Sequence, residues 1–346
     1  MTAPPPPRKP WLAQLRRWGP PGLLAALIVG LSAWINLPVV DQVFGGSARR
    51  VAGLPALEAF RAGQRVLILS PHPDDETLCC AGLIQQARAA GARVSIAWIT
   101  AGDGFEFDAA LTQRTLRPGA RNLRALGETR VLEARRAAAV LGVPAAQTYM
   151  LGYPDGGLLR LFTLHYATPY RAPRTDAAAV YVKGALSPGA PYTGQALEAD
   201  LRRVLDKVQP DLVLAPAPQD FHSDHRTVSY LALRLLAETR QENRLRFWVV
   251  HGGLEWPVPK GLHPEQPLTV PPLASGLPWQ RASLTPEQVG RKLEAVNIYR
   301  TQTRILGRFM HAFVRRNELL SPVALPPDPG HLTPEPESGP RPGAAP

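Results

Sequence analysis

The sequence predicts an α/β fold, a Rossmann-like three-layer sandwich around a mostly parallel sheet. Three observations predict it. From Val66 onward, short apolar runs that read as strands alternate with longer helix-forming stretches, the order that builds a parallel sheet with helices on both faces. The first run, Val66 to Leu69, is apolar throughout instead of alternating, as in a strand covered on both faces. The two richest polar clusters each follow such a run directly, which is where open α/β sheets place their sites. No Gly-x-Gly-x-x-Gly follows the first run, so a dinucleotide cofactor is not expected.

A chain of 346 residues holds one large domain or two ordinary ones, and an apolar fraction of 45% excludes general disorder. The formal charge of +11 is spread along Arg-rich helices without interleaved aromatics. A solvated arginine surface is therefore expected, with no nucleic-acid partner; anionic lipid headgroups are another use of the same charge. Cys79 and Cys80 are the only cysteines. Neighbours in sequence do not readily form an unstrained disulfide, so both are expected as buried thiols.

In chain order, residues 1–21 form a basic, Pro-rich segment with Arg8, Lys9, Arg16 and Arg17. Gly22 to Ile35 is free of strongly polar groups, and Leu37, Val39 and Val40 extend it. Residues 22–40 thus read as a transmembrane anchor, with a cleaved signal as the alternative. The extended run approaches the roughly 20 residues that a bilayer needs. The basic residues ahead of it keep the N-terminus inside and put the rest on the extracytoplasmic side. Residues 41–62 read as a linker, 63–318 as the folded domain, and 319–346, rich in Pro, Gly and Glu, as a disordered tail.

Within the domain, Arg93 to Thr100 is a second strand and residues 105–127 a loop or lid without clean periodicity. Glu128 to Leu141 is a helix with Val131, Ala134, Ala138 and Leu141 on one face, closed by Gly142 and Pro144. Thr148 to Leu151 is a strand, residues 158–193 are irregular, and Leu197 to Val208 is a helix. Asp211 to Ala215 is the next strand, followed by a helix that runs to about Thr239. Leu245 to His251 is the last strand, before two helices over Pro286–Tyr299 and Thr303–Arg316.

The chemistry lies in two clusters. The strand ending at Ser70 delivers His72, Asp74, Asp75 and Glu76 onto one short turn stiffened by Pro71 and Pro73. An imidazole and three carboxylates are costly together unless a cation neutralises them, and a divalent metal is the expected cation. His72 and Asp75 are three apart across that turn, and His222 and His225 are three apart at the start of a predicted helix. Two imidazoles and one carboxylate with an open fourth position make a hydrolytic metal site. Zn2+ suits this mix best, and Fe2+ or another divalent ion fits the same ligands. Water bound there is acidified and becomes the nucleophile.

Pro-His-Pro-Asp-Asp-Glu76, followed by His222-x-Asp-His225, resembles the PIG-L/LmbE family of zinc-dependent N-acetylglucosaminyl-type deacetylases. The resemblance runs from about Arg65 to Thr303 and takes in Ala101-Gly-Asp-Gly104, Arg130-Val-Leu-Glu133, Tyr153-Pro-Asp-Gly156, His251 and Tyr299-Arg-Thr-Gln302. It implies His72, Asp75 and His225 as metal ligands and Asp74 as general base. It implies that His222 stabilises the tetrahedral intermediate or acts as an acid, with Asp224 fixing its protonation state. Arg130 and Asp155 match positions that hold sugar hydroxyls. The implied reaction is hydrolysis of an acetamide on a sugar or glycoconjugate, giving acetate and a free amine.

Blander readings compete at single positions. Arg130 also reads as a solvated helix residue beside Glu133, Asp155 as a turn former, Glu76 as a helix cap and His251 as a core histidine. Two rivals compete for the whole. One is an amide hydrolase of the same fold acting on a conjugated thiol or an antibiotic precursor. The other is a catalytically idle glycan-binding module, and the full set of ligand and base positions argues against it.

Overall fold

The computed structural model describes residues 21–33, 46–104, 118–253 and 255–324. At its centre is strand β1 (Arg65–Ser70), in which Val66 to Leu69 are almost wholly buried. It pairs in parallel with β2 (Arg93–Thr100) on one side and β4 (Leu212–Pro216) on the other. With β3 (Thr148–Tyr153) beside β2 and β5 (Leu245–Trp248) beside β4, the five parallel strands stand in the order β3-β2-β1-β4-β5. The chain steps outward from β1 to β3 and then returns to lay down β4 and β5 on the far side. The reversal falls between β1 and β4, and a crevice opens there at the carboxyl ends of both strands.

Helices cover both faces, as the expected α/β sandwich requires. They are α1 (Asp75–Ala89), α2 (Ala120–Val140), α3 (Gly194–Val208), α4 (Ser223–Glu238), α5 (Pro286–Ile298) and α6 (Arg300–His311). Helices α1, α2 and α5 pack together in one layer, and α3 and α4 lie against β3 and β4 in the other. One apolar cluster joins the two layers through the sheet.

Several boundaries differ from the sequence expectation. Helix α2 begins at Ala120, not at Glu128, so part of the expected loop is helical. Leu123, Leu126 and Gly127 continue its buried face, a stripe that Arg121 and Arg124 mask in the sequence. The rest of that loop, 105–117, lies outside the described residues. The first residues of the tail expected from 319 are ordered. Asn317–Leu320 forms β7, which pairs antiparallel with β6 (Gln280–Ser283) and buries Leu319 and Leu320. Residues 325–346 lie outside the described residues. The linker expected over 41–62 is docked at its end, where the Leu57 N–H donates to Arg281 and the Arg281 N–H to Pro55.

The transmembrane anchor expected over 22–40 does not stand. Among the described residues, a helix covers 21–33. No helix among the described residues is long and apolar enough to cross a membrane. The membrane partner and the extracytoplasmic placement drawn from that anchor lapse with it. The basic segment and residues 34–45 lie outside the described residues. Cys79 and Cys80, expected as thiols, are joined in α1 with an S–S distance of 2.12 Å.

Two ion pairs tie together segments far apart in the chain. The buried Lys292 Nζ of α5 lies 2.7 Å from Glu318 Oε1 of β7 and donates to the Leu78 carbonyl at 2.7 Å. Glu318 in turn accepts the N–H groups of Gly82 and Leu83. At the other end of β1, Arg65 grips Asp211 at 2.7 Å. The Arg65 guanidinium holds the Asp211 carboxyl at about 2, below its unfolded value of about 3.9. Because the folded value is depressed, this stabilisation is full above the unfolded value and is lost as pH falls toward the folded one. Asp211→Asn should therefore lower the urea midpoint at pH 7, and the gap to the parent chain should close between about pH 4 and pH 2. A gap that stayed constant over that range would remove this assignment.

Candidate active site

The exit from β1 is held before any ligand is considered. The backbone N–H of Thr100 and its hydroxyl both donate to the Pro71 carbonyl, at 3.0 and 2.9 Å. Ser70 Oγ donates to the His72 carbonyl, and the His72 N–H donates to Asp75 Oδ2 at 2.9 Å. Buried Glu76 gathers the indole N–H of Trp98, the hydroxyls of Thr77 and Tyr299, and the Asp74 N–H. Burial raises the Glu76 carboxyl above its ordinary value. Glu76, which the sequence also offers as a helix cap, braces the loop from beneath through these four donors.

Asp74 sits at φ 129°, a region where a non-glycine residue costs of order 1–3 kcal/mol and persists only when its surroundings impose it. Arg130 does much of the imposing. Its Nη2 donates to the Pro73 carbonyl at 2.7 Å and to Asp74 Oδ2 at 2.9 Å, and its Nη1 donates to the Gly102 carbonyl at 2.7 Å. Gly102 lies under this guanidinium at φ +67°, where a Cβ would come 2.3 Å from Arg130 Nη1. Hence the glycine of Ala101-Gly-Asp-Gly104. Burial lifts the Asp74 carboxyl to about 7 against the opposing charge of Arg130, the range in which a carboxylate both takes and returns a proton near neutrality.

The second cluster arrives with α4. His222 caps its N-terminus, with Nδ1 accepting the Asp224 N–H at 3.2 Å. A neutral ring so held carries its proton on Nε2, and burial lowers its pKa. His225, wholly buried, turns Nε2 toward the β1 loop. His225 Nε2 lies 3.1 Å from Asp75 Oδ2 and 3.3 Å from His72 Nδ1, and His72 Nδ1 lies 3.2 Å from Asp75 Oδ2. Donors on a zinc ion at the usual 2.0–2.1 Å in tetrahedral geometry stand about 3.3 Å apart. This trio therefore fits a small divalent ion. Overlapping trios, His72–His222–His225, Asp75–His225–His251 and His72–Asp155–Asp224, also bring three donor atoms within 4.8 Å of one another.

Carboxylates stand behind the imidazoles. Asp220 faces His225 Nδ1 at 3.1 Å and accepts the N–H groups of His222, Val250 and His251. Asp224 does not meet the His222 ring through its carboxylate, as the sequence reading expected; its backbone N–H fixes that ring instead. The carboxylate lies 3.2 Å from His72 Nε2 and accepts from Gly156 and Leu158. Asp155 stands 3.1 Å from His72 Nε2 and accepts the Gly104 N–H. Burial opposes a charged His72, but Asp155, Asp224 and Asp75 outweigh it and raise its pKa. Likewise burial opposes a charged His225, and Asp220 and Asp75 lift it to about 9. Such a demand for positive charge is what a divalent cation meets.

His72, Asp74, Asp75, Arg130, Asp155 and His222 line one cavity of about 470 Å³, and His225 and Asp224 are buried behind it. All eight residues singled out in the sequence are thus brought together. Arg130 does so as a brace for Asp74, with both Nη atoms engaged. Two neighbours carried no such weight in the sequence. Asp220, five residues ahead of His225, carries no motif signal in the sequence. His251 lies 4.9 Å from His225, ring to ring, and stacks on Phe309.

Comparison with known proteins gives a family match and several similar solved structures. Residues 67–236 match the PIG-L family, described as GlcNAc-PI de-N-acetylase. No curated protein matches the chain. Similar solved structures include N,N'-diacetylchitobiose deacetylase from Pyrococcus horikoshii, 20% identical over 81% of this chain and 91% of that one, with a TM-score of 0.48. A triple mutant of a deacetylase of the teicoplanin biosynthetic pathway is 19% identical over 75% of this chain and 97% of its own, with a TM-score of 0.46. The pseudoaglycone deacetylase of an antimicrobial reagent is 18% identical over 75% and 97%, with a TM-score of 0.48. Over residues 67–236, this chain is a PIG-L family domain.

Proposed function

We propose that this site hydrolyses the acetamide of an N-acetylglucosamine-type unit, releasing acetate and a free amine. The observation that carries the reading is the triangle of His72 Nδ1, Asp75 Oδ2 and His225 Nε2, with edges of 3.1–3.3 Å, beside a buried Asp74. A zinc ion, or Fe2+ or another divalent ion, held by these residues would acidify water and polarise the amide carbonyl. Asp74 takes the proton of the attacking water and returns it to the leaving nitrogen. Arg130 keeps the Asp74 carboxylate aimed, and the Nε2–H of His222 donates to the developing oxyanion. Asp220 and Asp224 hold the rings of His225 and His72 in their tautomers. Asp155, which lines the cavity, would accept a sugar hydroxyl.

The test is amine release from a panel of N-acetylated sugars by the purified chain. Chelation should reduce release at least about 100-fold, and added zinc should restore it. Release that survived exhaustive chelation would remove the metal from the reaction. Bound metal with no release from any member would instead favour an idle glycan-binding module.

A further inference from the structure

His251 lines the cavity, and no step of the proposed reaction uses it. Its backbone is anchored at both polar groups. The N–H donates to Asp220 Oδ2 at 3.0 Å, and the carbonyl accepts the Phe221 N–H at 3.0 Å. The ring packs against three others. It stacks on Phe309 with centroids 6.1 Å apart and planes within 10°, and it meets the rings of His225 and His222 at 4.9 and 5.3 Å. Phe309 is itself held, by an edge contact with Phe313 at 5.3 Å and by Lys260 Nζ, 4.7 Å from its ring centre. An imidazole so placed has little freedom to turn.

Its polar atoms have no such hold. The rings of His72, His222 and His225 each engage a group of the protein, namely Asp75, the Asp224 N–H and Asp220. The ring nitrogens of His251 have no hydrogen-bond partner among the described residues. A few fixed polar groups in a cavity wall are what orient a ligand and select it. A neutral imidazole offers one donor and one acceptor, the same pair that a hydroxyl offers. The amide of an N-acetyl sugar is already served by Asp74, His222 and the ligand trio, and the polar groups left on the sugar are its hydroxyls. Asp155 stands 3.1 Å from His72 Nε2, whereas His251 stands against His225 and His222.

We propose that His251 is a specificity-determining residue, its imidazole hydrogen-bonding a hydroxyl of the amino sugar other than the one Asp155 takes. The proposal rests on the deacetylase reading above. His251 also brings a donor atom within 4.8 Å of those of Asp75 and His225, so its rival role is that of a metal ligand.

The experiment measures kcat and KM for amine release from N-acetylglucosamine and its 3-deoxy, 4-deoxy and 6-deoxy analogues. The metal-loaded parent, His251→Phe and His251→Gln are compared, each checked by its melting curve. The analogue that lacks the recognised hydroxyl should be about 10- to 100-fold poorer for the parent, because it leaves the imidazole unpaired. His251→Phe keeps a ring to stack on Phe309. It should lose the same factor on N-acetylglucosamine, mostly through KM, and nothing on that one analogue. His251→Gln keeps a donor and an acceptor and should recover part of the preference. Both variants should hold as much metal as the parent by elemental analysis. Discrimination among the analogues that is unchanged in either folded variant overturns the proposal and leaves His251 as packing. Lost metal also overturns it, by making His251 a ligand. In both cases the parent still releases amine and the deacetylase reading stands. No release by the parent from any member overturns both.

Discussion

Asp74→Asn is expected to lower kcat/KM about 10²- to 10⁴-fold, with the bound metal unchanged. Asparagine keeps the shape of the side chain, and its carbonyl oxygen can still accept from Arg130 Nη2. Among non-glycine residues it is also one of those that best tolerate positive φ, so the strained turn at φ 129° survives the change. What it loses is the ability to take a proton and give it back. The loss should therefore appear in kcat with little change in KM, and elemental analysis should find the same metal content as in the parent. A variant within tenfold of the parent would take Asp74 out of the reaction, whatever its position in the cavity.

Lys292→Met and Glu318→Gln are each expected to destabilise the fold by about 3–5 kcal/mol, because each leaves half of a buried pair uncompensated. Both side chains are fully inaccessible to solvent. Their partners add to the cost. Lys292 donates to the Leu78 carbonyl and Glu318 accepts from Gly82 and Leu83, so the pair reaches two groups that bond to each other in a regular helix. The double variant should recover much of the loss, because the Gly82 amide can then return to the Leu78 carbonyl. Urea denaturation of the single and double variants measures this coupling. Single variants within about 1 kcal/mol of the parent would show that the pair carries little.

Much of the framework is legible in the chain itself. An apolar run from Val66 to Leu69 admits little but a strand covered on both faces, and β2 and α4 fall close to where the patterns place them. The turns after β1 and β4 announce their chemistry through the residue types they carry. Such features depend on near neighbours: side-chain period, proline stiffness, and a three-residue separation that puts two candidate ligands on one face.

Features that depend on distant partners were not legible. Asp220 lies only five residues before His225, yet no local pattern pairs them; what holds the carboxylate in place is the N–H groups of Val250 and His251, after β5. The Asp224 carboxylate reads as an aid to His222 two residues away, yet it serves His72, 152 positions earlier. Leu319 and Leu320 look like the start of a polar tail until β6 offers them a partner strand. The apolar run near the N-terminus suggested a membrane span, but no helix among the described residues is long and apolar enough to cross one. The sequence by itself determined the sheet, its order of elements and the two turns rich in His and Asp, because local periodicity and residue chemistry suffice for those. Only the tertiary structure decided which carboxylate orients which imidazole, since that depends on strands far apart in the chain lying side by side.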